Sequence, residues 1–272
     1  IRVTGNRQSG TVHTHGAKGG AGANVVGQID LTGAAHANAV SLRNQDVRNS
    51  QVHVQRNRSE GRISSQGAVA GANAVLAEGG SLQNSRVVNS GNRAANVRAN
   101  GGSGSIALGA AASVQKQGRS LANSQSFEQT TVKNTTTTVT RNQAEQVQVD
   151  GGSALANSVL ARQSTLNNAT VQTTNNRASQ VSARGGQSSV AGGAASTGAR
   201  SMAAANAVSL SNGSVQGGAR VRLAGNRATQ VNAEGGTALV NSVGVYSQAS
   251  VQGGTITLER NTAHNVRTQG AS

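Results

Sequence analysis

Apolar and polar residues alternate along short segments of this chain. In RVRLAGN (220–226) and TITLERN (255–261), the residues five and three positions before the Asn are apolar, and a polar residue lies between them. Such period-two runs, interrupted by Gly and Asn, predict short β-strands joined by turns. A sustained period of 3.6 is absent, so no long helix is predicted, although the segment 105–118 would tolerate one.

A recurring Asn sets a longer period. The first anchor follows the alternating run at Asn6, Asn57, Asn92, Asn142, Asn176, Asn226 and Asn261. The intervals are 51, 35, 50, 34, 50 and 35 residues, so that short and long modules alternate. A second anchor recurs at Asn38, Asn73, Asn123, Asn157, Asn206 and Asn241. All intervals lie close to multiples of 17, which indicates an elementary unit of about 17 residues.

The pattern therefore predicts an all-β fold, a β-solenoid of parallel stacked coils of about 17 residues. The chain length of 272 residues corresponds to sixteen such coils, with short modules of two coils alternating with long modules of three. A single repetitive domain would span 1–272, with super-repeats at roughly 6–91, 92–175 and 176–260 and half-coils at the termini.

The anchor asparagines are expected to form ladders. In a parallel stack, equivalent residues lie above one another, and each Asn can donate to and accept from the next. The Ala two positions after most first anchors keeps the interior narrow, and Gly pairs such as Gly151–Gly152 permit positive φ at a corner. Asn6 and Asn57 lack this Ala, so less regular N-terminal coils are expected.

Composition agrees with an unusual, thin core. The chain has 36 Gly, one Phe, one Tyr and no Pro, Cys or Trp. Few aromatic residues are typical of disorder, but the regular apolar period argues against it. Without Cys, disulfides and thiol chemistry are excluded, while the compartment stays open. No apolar run is long enough for a membrane span. Ile1 in place of Met is compatible with a processed N-terminus or with a boundary inside a longer chain.

The net charge of +15 is patterned along the repeat. Arginines directly follow five of the first anchors and are predicted to form a basic edge, at Arg7, Arg58, Arg93, Arg177 and Arg227. This edge either keeps the protein soluble and blocks lateral aggregation, or attracts acidic polysaccharide, extracellular DNA or lipid headgroups without specificity. Two aromatic residues in all argue against recognition of single-stranded nucleic acid by stacking.

Candidate chemistry is sparse, and the sequence predicts neither an enzyme nor a cofactor. The nine acidic residues do not recur as a pair at one place in the repeat, as a solenoid hydrolase or lyase would require. His13 and His15 could supply two ligands of a metal site, but no third ligand is evident. Calcium-binding repeats need one Asp per turn, and Asp is nearly absent from this chain. The Thr-rich segment 130–140 is similar to the arrays of ice-binding solenoids, but it is confined to one coil.

The two ends of the chain share one phase of the repeat. In IRVTGN (1–6), as in ITLERN (256–261), the apolar residues lie five and three positions before the anchor Asn, and neither end shows a polar cap. Ile1, Val3, Ile256 and Leu258 are therefore expected at a joint between subunits. Head-to-tail contact of this kind does not close on itself, so the pattern predicts a homopolymeric fibre.

Two families resemble parts of the chain. NQAEQVQVDGG (142–152) and GNRATQV (225–231) resemble the curli and Fap fibre subunits of bacterial biofilms, although the spacing differs from that of the curli repeat. This resemblance implies a secreted, polymerising β-rich subunit without an active site, located at the cell surface or in the biofilm matrix. ANSVLARQSTLNNATVQ (156–172) is similar to the stalk of filamentous-haemagglutinin-type adhesins. The alternative expectation is therefore a stalk or fragment of a secreted adhesin.

Overall fold

The fold is built from parallel strands. A computed structural model describes residues 1–15, 19–21, 26–30, 34–67, 69–101, 104–106, 111–115, 118–184, 189–190, 195–197, 201–234 and 236–269. Within these ranges there are 38 strands and no helix, and every pairing is parallel. The prediction of an all-β fold of stacked parallel strands is confirmed.

Sheets 1 and 2 form the front of the molecule. Sheet 1 contains β1 (Arg2–Thr4), β8 (Gln51–Gln55), β13 (Arg86–Ser90), β20 (Thr136–Thr140), β25 (Thr170–Thr174), β32 (Arg220–Ala224) and β37 (Thr255–Glu259). Sheet 2 contains β2 (Arg7–Gln8), β3 (Val12–His15), β9 (Arg58–Ser59), β10 (Ile63–Gly67), β14 (Arg93–Gly101), β21 (Gln143–Asp150), β26 (Arg177–Arg184), β33 (Arg227–Glu234) and β38 (Thr262–Gln269).

Sheets 3 and 4 form the back. Sheet 3 contains β6 (Ala34–Ala37), β11 (Val69–Ala72), β17 (Gly118–Ala122), β22 (Gly152–Ala156), β29 (Ser201–Ala205) and β34 (Gly236–Val240). Sheet 4 contains β7 (Val40–Arg48), β12 (Val75–Gln83), β18 (Gln125–Glu128), β19 (Thr131–Lys133), β23 (Val159–Arg162), β24 (Thr165–Asn167), β30 (Val208–Ser211), β31 (Ser214–Gln216), β35 (Val243–Tyr246) and β36 (Ser250–Val251).

The chain passes through sheets 1, 2, 3 and 4 in turn, and one such circuit is one coil. Successive circuits bring together residues 51, 35, 50, 34, 50 and 35 positions apart. The predicted 17-residue coil and the count of sixteen coils were therefore wrong. A 17-residue unit covers only one side of the solenoid, and the chain must cross to the other side and return before it stacks on itself.

The 17-residue unit is instead a half-coil. A front half-coil has one segment in sheet 1 and one in sheet 2, and a back half-coil has one in sheet 3 and one in sheet 4. The described residues form seven front and six back half-coils. The third unit of each long module is an insert between sheets 2 and 3.

The inserts form two small sheets of their own. Sheet 5 contains β4 (Gly19–Ala21), β15 (Gly104–Ile106) and β27 (Ser189–Val190). Sheet 6 contains β5 (Val26–Asp30), β16 (Ala111–Gln115) and β28 (Ala195–Thr197). Strands of successive inserts pair directly, as Ser105 does with Gly20 and with Ser189. The segment that would tolerate a helix thus contributes β15 and β16.

Two apolar clusters fill the interior. Sheets 2 and 3 pack through a cluster made mostly of Ala and Val, such as Ala72, Ala94 and Val97. Sheets 1 and 4 pack through larger residues, including Leu82 and Phe127, both with at most 1% of their surface exposed. Alanine on both facing sheets lets the first pair approach closely, so the solenoid is narrow at sheets 2 and 3 and wider at sheets 1 and 4.

A bulge in sheet 2 explains a spacing that does not fit strict alternation. In β14, Ala94 and Val97 both point inward although three positions separate them. Asn96 between them has φ 55°, and the equivalent residues Gln146, Gln180 and Gln230 are also left-handed. The extra outward residue restores the inward phase. In the first two coils, Val12 and Ile63 come one position later, and a loop replaces the bulge.

Candidate functional site

The first-anchor asparagines form one continuous column. Five of them are buried, from Asn57 to Asn226. The Oδ1 atom of each accepts a hydrogen bond from the backbone N–H of the Asn one coil earlier, as Asn226 does from Asn176 at 3.1 Å. In all of them except Asn176 it also accepts from the Nδ2 atom of that earlier Asn, as Asn226 does at 3.1 Å. The Nδ2 atom also donates to the carbonyl three residues before the previous anchor, as Asn57 does to Val3 at 2.9 Å. Each amide thus connects three successive coils.

This pattern gives the column a direction. Backbone N–H groups point to the next coil, and one Nδ2 bond points back to the previous one. At the first coil, Asn6 donates to Asn57, but its own Oδ1 atom has no donor among the described residues. At the last coil, the backbone N–H of Asn261 has no described acceptor, whereas its Nδ2 atom bonds Leu223 at 3.0 Å. The column therefore ends in an acceptor on one face and a donor on the other.

The second-anchor asparagines form a parallel column on the back. Asn73 donates to Asn123 at 2.9 Å and Asn157 to Asn206 at 3.1 Å, and the other steps are 3.0–3.2 Å. These residues adopt left-handed backbone conformations, with φ 52° at Asn206. The Nδ2 atoms also bond the front, at a backbone carbonyl in all but Asn38, as Asn206 does to Arg227 at 2.9 Å. The second column thereby ties the back of the solenoid to its front.

Both columns lie at the boundary between the two apolar clusters. Along the front, residues before the anchor enter the cluster of sheets 1 and 4, and residues after it enter the cluster of sheets 2 and 3. Asn89 adds a further cross-tie, because its Nδ2 atom donates to the Asn73 carbonyl at 2.6 Å and its Oδ1 atom accepts from Asn92. The amides therefore form a polar spine through the middle of the molecule, rather than an outer corner.

The arginines of the predicted basic edge occupy one exposed column of sheet 2. The pairing runs from Arg7 through Arg58 and Arg93 to Gln143, and then through Arg177 and Arg227 to Thr262. Gln143 interrupts the arginines. Arg7 pairs with Glu60 at 3.0 Å and Arg93 with Glu145 at 3.9 Å, while the other three have no described carboxylate partner.

A second basic column lies directly beside it, at the corner between sheets 1 and 2. The residue before each first anchor has positive φ, and Arg56, Arg141 and Arg260 take this position at φ 54°, 54° and 48°. Gly91 and Gly225 take it in other coils. Two shallow clefts flank this corner: one of about 400 Å³ touches Arg222 and Arg260, and one of about 260 Å³ touches Arg177 and Arg227.

The two faces of the stack carry the predicted joint residues. At the last coil, Ile256 is 41% exposed and Leu258 is 52% exposed, whereas their equivalents Val52 and Val54 are fully buried. At the first coil, Ile1 is 60% exposed and Val3 is half-buried. Apolar side chains that other coils cover are thus bare at both faces within the described residues.

The back carries an outer cluster that the sequence did not reveal. Leu121, Leu155 and Leu160 point away from the interior, yet each is at most 5% exposed, because sheets 3 and 4 meet at a concave bend. Arg119 crosses this bend to Glu128 at 2.8 Å. Alternation along a strand predicts that such outward residues are exposed to solvent. Their burial depends on the bend between sheets 3 and 4, which the sequence does not show.

His36 lies in this outer region above a glycine. A Cβ atom built on Gly71 would lie 2.7 Å from the His36 Nδ1 atom, so only Gly leaves room for the ring. Burial, and then the charge of Arg43, lowers the pKa of His36 below its usual 6.5. Burial, together with Arg2, Arg86 and the N-terminus, lowers the pKa of His53 in the same way.

No metal-binding group of three or more ligands exists among the described residues. The side chains of His13 and His15 lie outside the described part of the structure. Glu60, Glu78, Glu145, Asp150, Glu234 and Glu259 each pair with an arginine on the surface. Over the same residues, no helix is long and apolar enough to cross a membrane.

Comparison with known proteins gives no relative. No protein-family model, no curated protein and no solved structure matches the chain.

Proposed function

We propose that this chain is a structural subunit of an extracellular bacterial fibre, which grows head to tail as one subunit continues the β-solenoid of the next. The fibre would belong to the cell surface or the biofilm matrix. The chain would act by its shape and self-association and would carry out no reaction. The observation that carries the proposal is the complementarity of the two faces of the stack.

The amide spine supplies one part of that complementarity. The last coil presents the backbone N–H of Asn261 as a donor, and the first coil presents the Oδ1 atom of Asn6 as an acceptor. The same donor and acceptor bond each other at every step inside the chain. The Asn6 Nδ2 atom would then reach the Leu258 carbonyl of the neighbouring copy, as Asn57 reaches Val3 within the chain. Buried amides left unpaired cost free energy, which favours this contact.

Apolar side chains supply the other part. Copies stacked in register would place Ile1 and Val3 on Ile256 and Leu258, and Val12 on Val266, which is 43% exposed. The unpaired strand edges β1 and β37 would also gain main-chain hydrogen bonds.

The adhesin stalk is kept as a second candidate because of one observation. The described residues form seven front but six back half-coils. Two copies stacked through their front half-coils would therefore leave one back position unfilled at the joint. In a stalk, that position would be supplied by covalently continuous chain.

The backbone pattern shows which donors face the joint. His53 donates to the Ile1 carbonyl and Gly5 to the Gln55 carbonyl, so the N–H groups of Val3 and Gly5 point into the molecule. The N–H of Thr4 then points outward from the first coil. By the same alternation, the N–H of Leu258 points outward from the last coil, since Thr255 donates inward to Ala219.

Proline at these two positions tests the proposal. Thr4→Pro and Leu258→Pro each remove one outward donor and keep the internal bonds. The unchanged chain should form filaments in electron micrographs, whereas each variant alone should stay monomeric in analytical ultracentrifugation. An equimolar mixture should form dimers, because each variant retains one intact face. Thr4→Val and Leu258→Val keep the donors and should polymerise.

The opposing results are equally specific. A monomeric unchanged chain would favour the stalk. Filaments from either proline variant alone would show side-by-side association and contradict the head-to-tail joint.

A further inference from the structure

We propose that the front face, formed by the outward side chains of sheets 1 and 2, binds a linear acidic polysaccharide that lies along the solenoid axis. This inference goes beyond the fibre proposal, because the face lies along the side of each subunit and is complete in one chain.

The described cations without a carboxylate partner are concentrated on this face. They are Arg2, Arg56, Arg58, Arg62, Arg86, Arg141, Arg177, Arg220, Arg227, Arg260 and Arg267. On the back, Arg48 and Lys133 are the described cations without such a partner. Every described carboxylate on the front is paired with an arginine, so the unpaired guanidinium groups dominate the local field.

The spacing of these charges favours a glycan over duplex DNA. Each of the seven front half-coils contributes at least one unpaired arginine, and successive half-coils lie about 4.8 Å apart. Duplex DNA carries one charge per roughly 1.7 Å of its axis, which is far denser than this row. A glycan with one carboxylate per sugar ring spaces its charges by one ring length, which is comparable to the strand spacing.

The shape of the corner suits a chain of sugar rings. Arg56 and Arg141 project from the left-handed corner column, and Gly91 lies between them. A Cβ on Gly91 would meet nothing nearer than the Arg56 Cγ atom at 3.8 Å, so the space above it is open. Gly91 thus leaves a gap between the side chains of Arg56 and Arg141, whereas at Gly225 the Asn175 Oδ1 atom would lie 2.5 Å from a Cβ.

The groups that line the corner match the chemistry of an acidic sugar. Guanidinium groups bind carboxylates through two parallel hydrogen bonds. The cleft of about 400 Å³ also offers Gln172, Thr174 and Asn175, which can bond sugar hydroxyls. Phe127 is buried and Tyr246 lies on sheet 4, so the front has no Phe, Tyr or Trp on which nucleic-acid bases could stack.

The test uses polygalacturonate as the probe, with a neutral β-glucan and duplex DNA for comparison. Arg141→Gln, Arg177→Gln and Arg227→Gln together should weaken polygalacturonate binding about tenfold, as expected for the loss of three exposed ion pairs. The matched control removes three charges from the back, at Arg43, Arg48 and Lys133, and should change binding less than about twofold. Binding should fall steeply towards about 0.5 M salt, and the neutral glucan should not bind.

Two results would overturn the proposal. Equal weakening by the front and back triple variants would mean that net charge alone attracts the polymer. Duplex DNA that binds as tightly as polygalacturonate at equal charge concentration would show a surface for any polyanion. Binding is measured per chain, and the face is complete in one subunit, so a failure to form filaments leaves the test intact.

Discussion

At the scale of single residues, asparagine is required for different reasons in the two columns of the spine. In the first column, Asn226 is surrounded by amide and carbonyl partners on both sides. In the second, Asn206 makes similar bonds and also has φ 52°, a conformation that Asn tolerates better than most residues. Repetition in the sequence could reveal both columns, but only the backbone shows that the second carries this additional constraint.

Replacing Asn176 and Asn226 together by Leu should destabilise the solenoid. Leu has a similar volume, but it leaves the buried backbone N–H groups of residues 142 and 176 without their Oδ1 acceptors. We expect a loss of about 1–3 kcal/mol per site in the free energy of unfolding, measured by denaturant titration. Gln172→Leu, at a half-buried outward position, is the control and should have little effect. A double variant as stable as the unchanged chain would show that the spine contributes nothing.

Acidification should destabilise the protein through His36. Its pKa is lowered in the folded state, so the fold favours the neutral ring. The full stability is then present above the unfolded pKa of about 6.5 and declines as the pH falls through that value, because the folded chain must bury a cation. The melting temperature should drop between about pH 7.5 and about pH 5. His36→Gln should reduce this drop, and His36→Gln with His53→Gln should reduce it further. An identical drop in all three proteins would exclude these rings as its cause.

At the scale of elements, the sequence predicts strands well and their partners poorly. Alternation indicated short strands, and the spacing of the anchors indicated parallel stacking. The coil was misjudged because front and back half-coils share one design, in which a strand, an Asn and a second strand follow one another. Which half-coil stacks on which depends on contacts 34 to 51 positions apart. The sequence predicted the asparagine ladders but not their place between two apolar clusters, since that place depends on how the sheets face each other.

The bulge of sheet 2 should be intolerant of β-branched residues. Gln230 lies at its centre with φ 55°. Gln230→Ile should cost about 1–2 kcal/mol in stability, because the left-handed conformation brings Cβ close to the following carbonyl. The control Thr229→Ile lies next to it on the same strand, outside the left-handed positions, and should be nearly neutral. Equal effects of the two changes in thermal unfolding would show that strain at the bulge is unimportant.

At the scale of the whole molecule, the solenoid is a directional object. All pairings between the described strands are parallel, and the amide spine donates along one sense of the axis. The interior is narrow between sheets 2 and 3 and wide between sheets 1 and 4. A copy rotated by half a turn would therefore stack its large core residues on the narrow part of its neighbour. Subunits should therefore join in one orientation and one register, with front half-coils on front half-coils.

This register fixes the axial repeat of the proposed fibre. The seven front half-coils among the described residues, at about 4.8 Å each, give a rise of about 34 Å per subunit. Fibre diffraction should show a strong meridional reflection near 4.8 Å, and helical reconstruction from electron micrographs should show the rise of about 34 Å. If each subunit were instead rotated by half a turn about the axis relative to the previous one, it would advance the stack by six and a half coils. The rise per subunit would then be about 31 Å. Filaments with the shorter rise would refute the front-on-front joint, and filaments that widen with growth, without a subunit repeat along the axis, would refute head-to-tail assembly altogether.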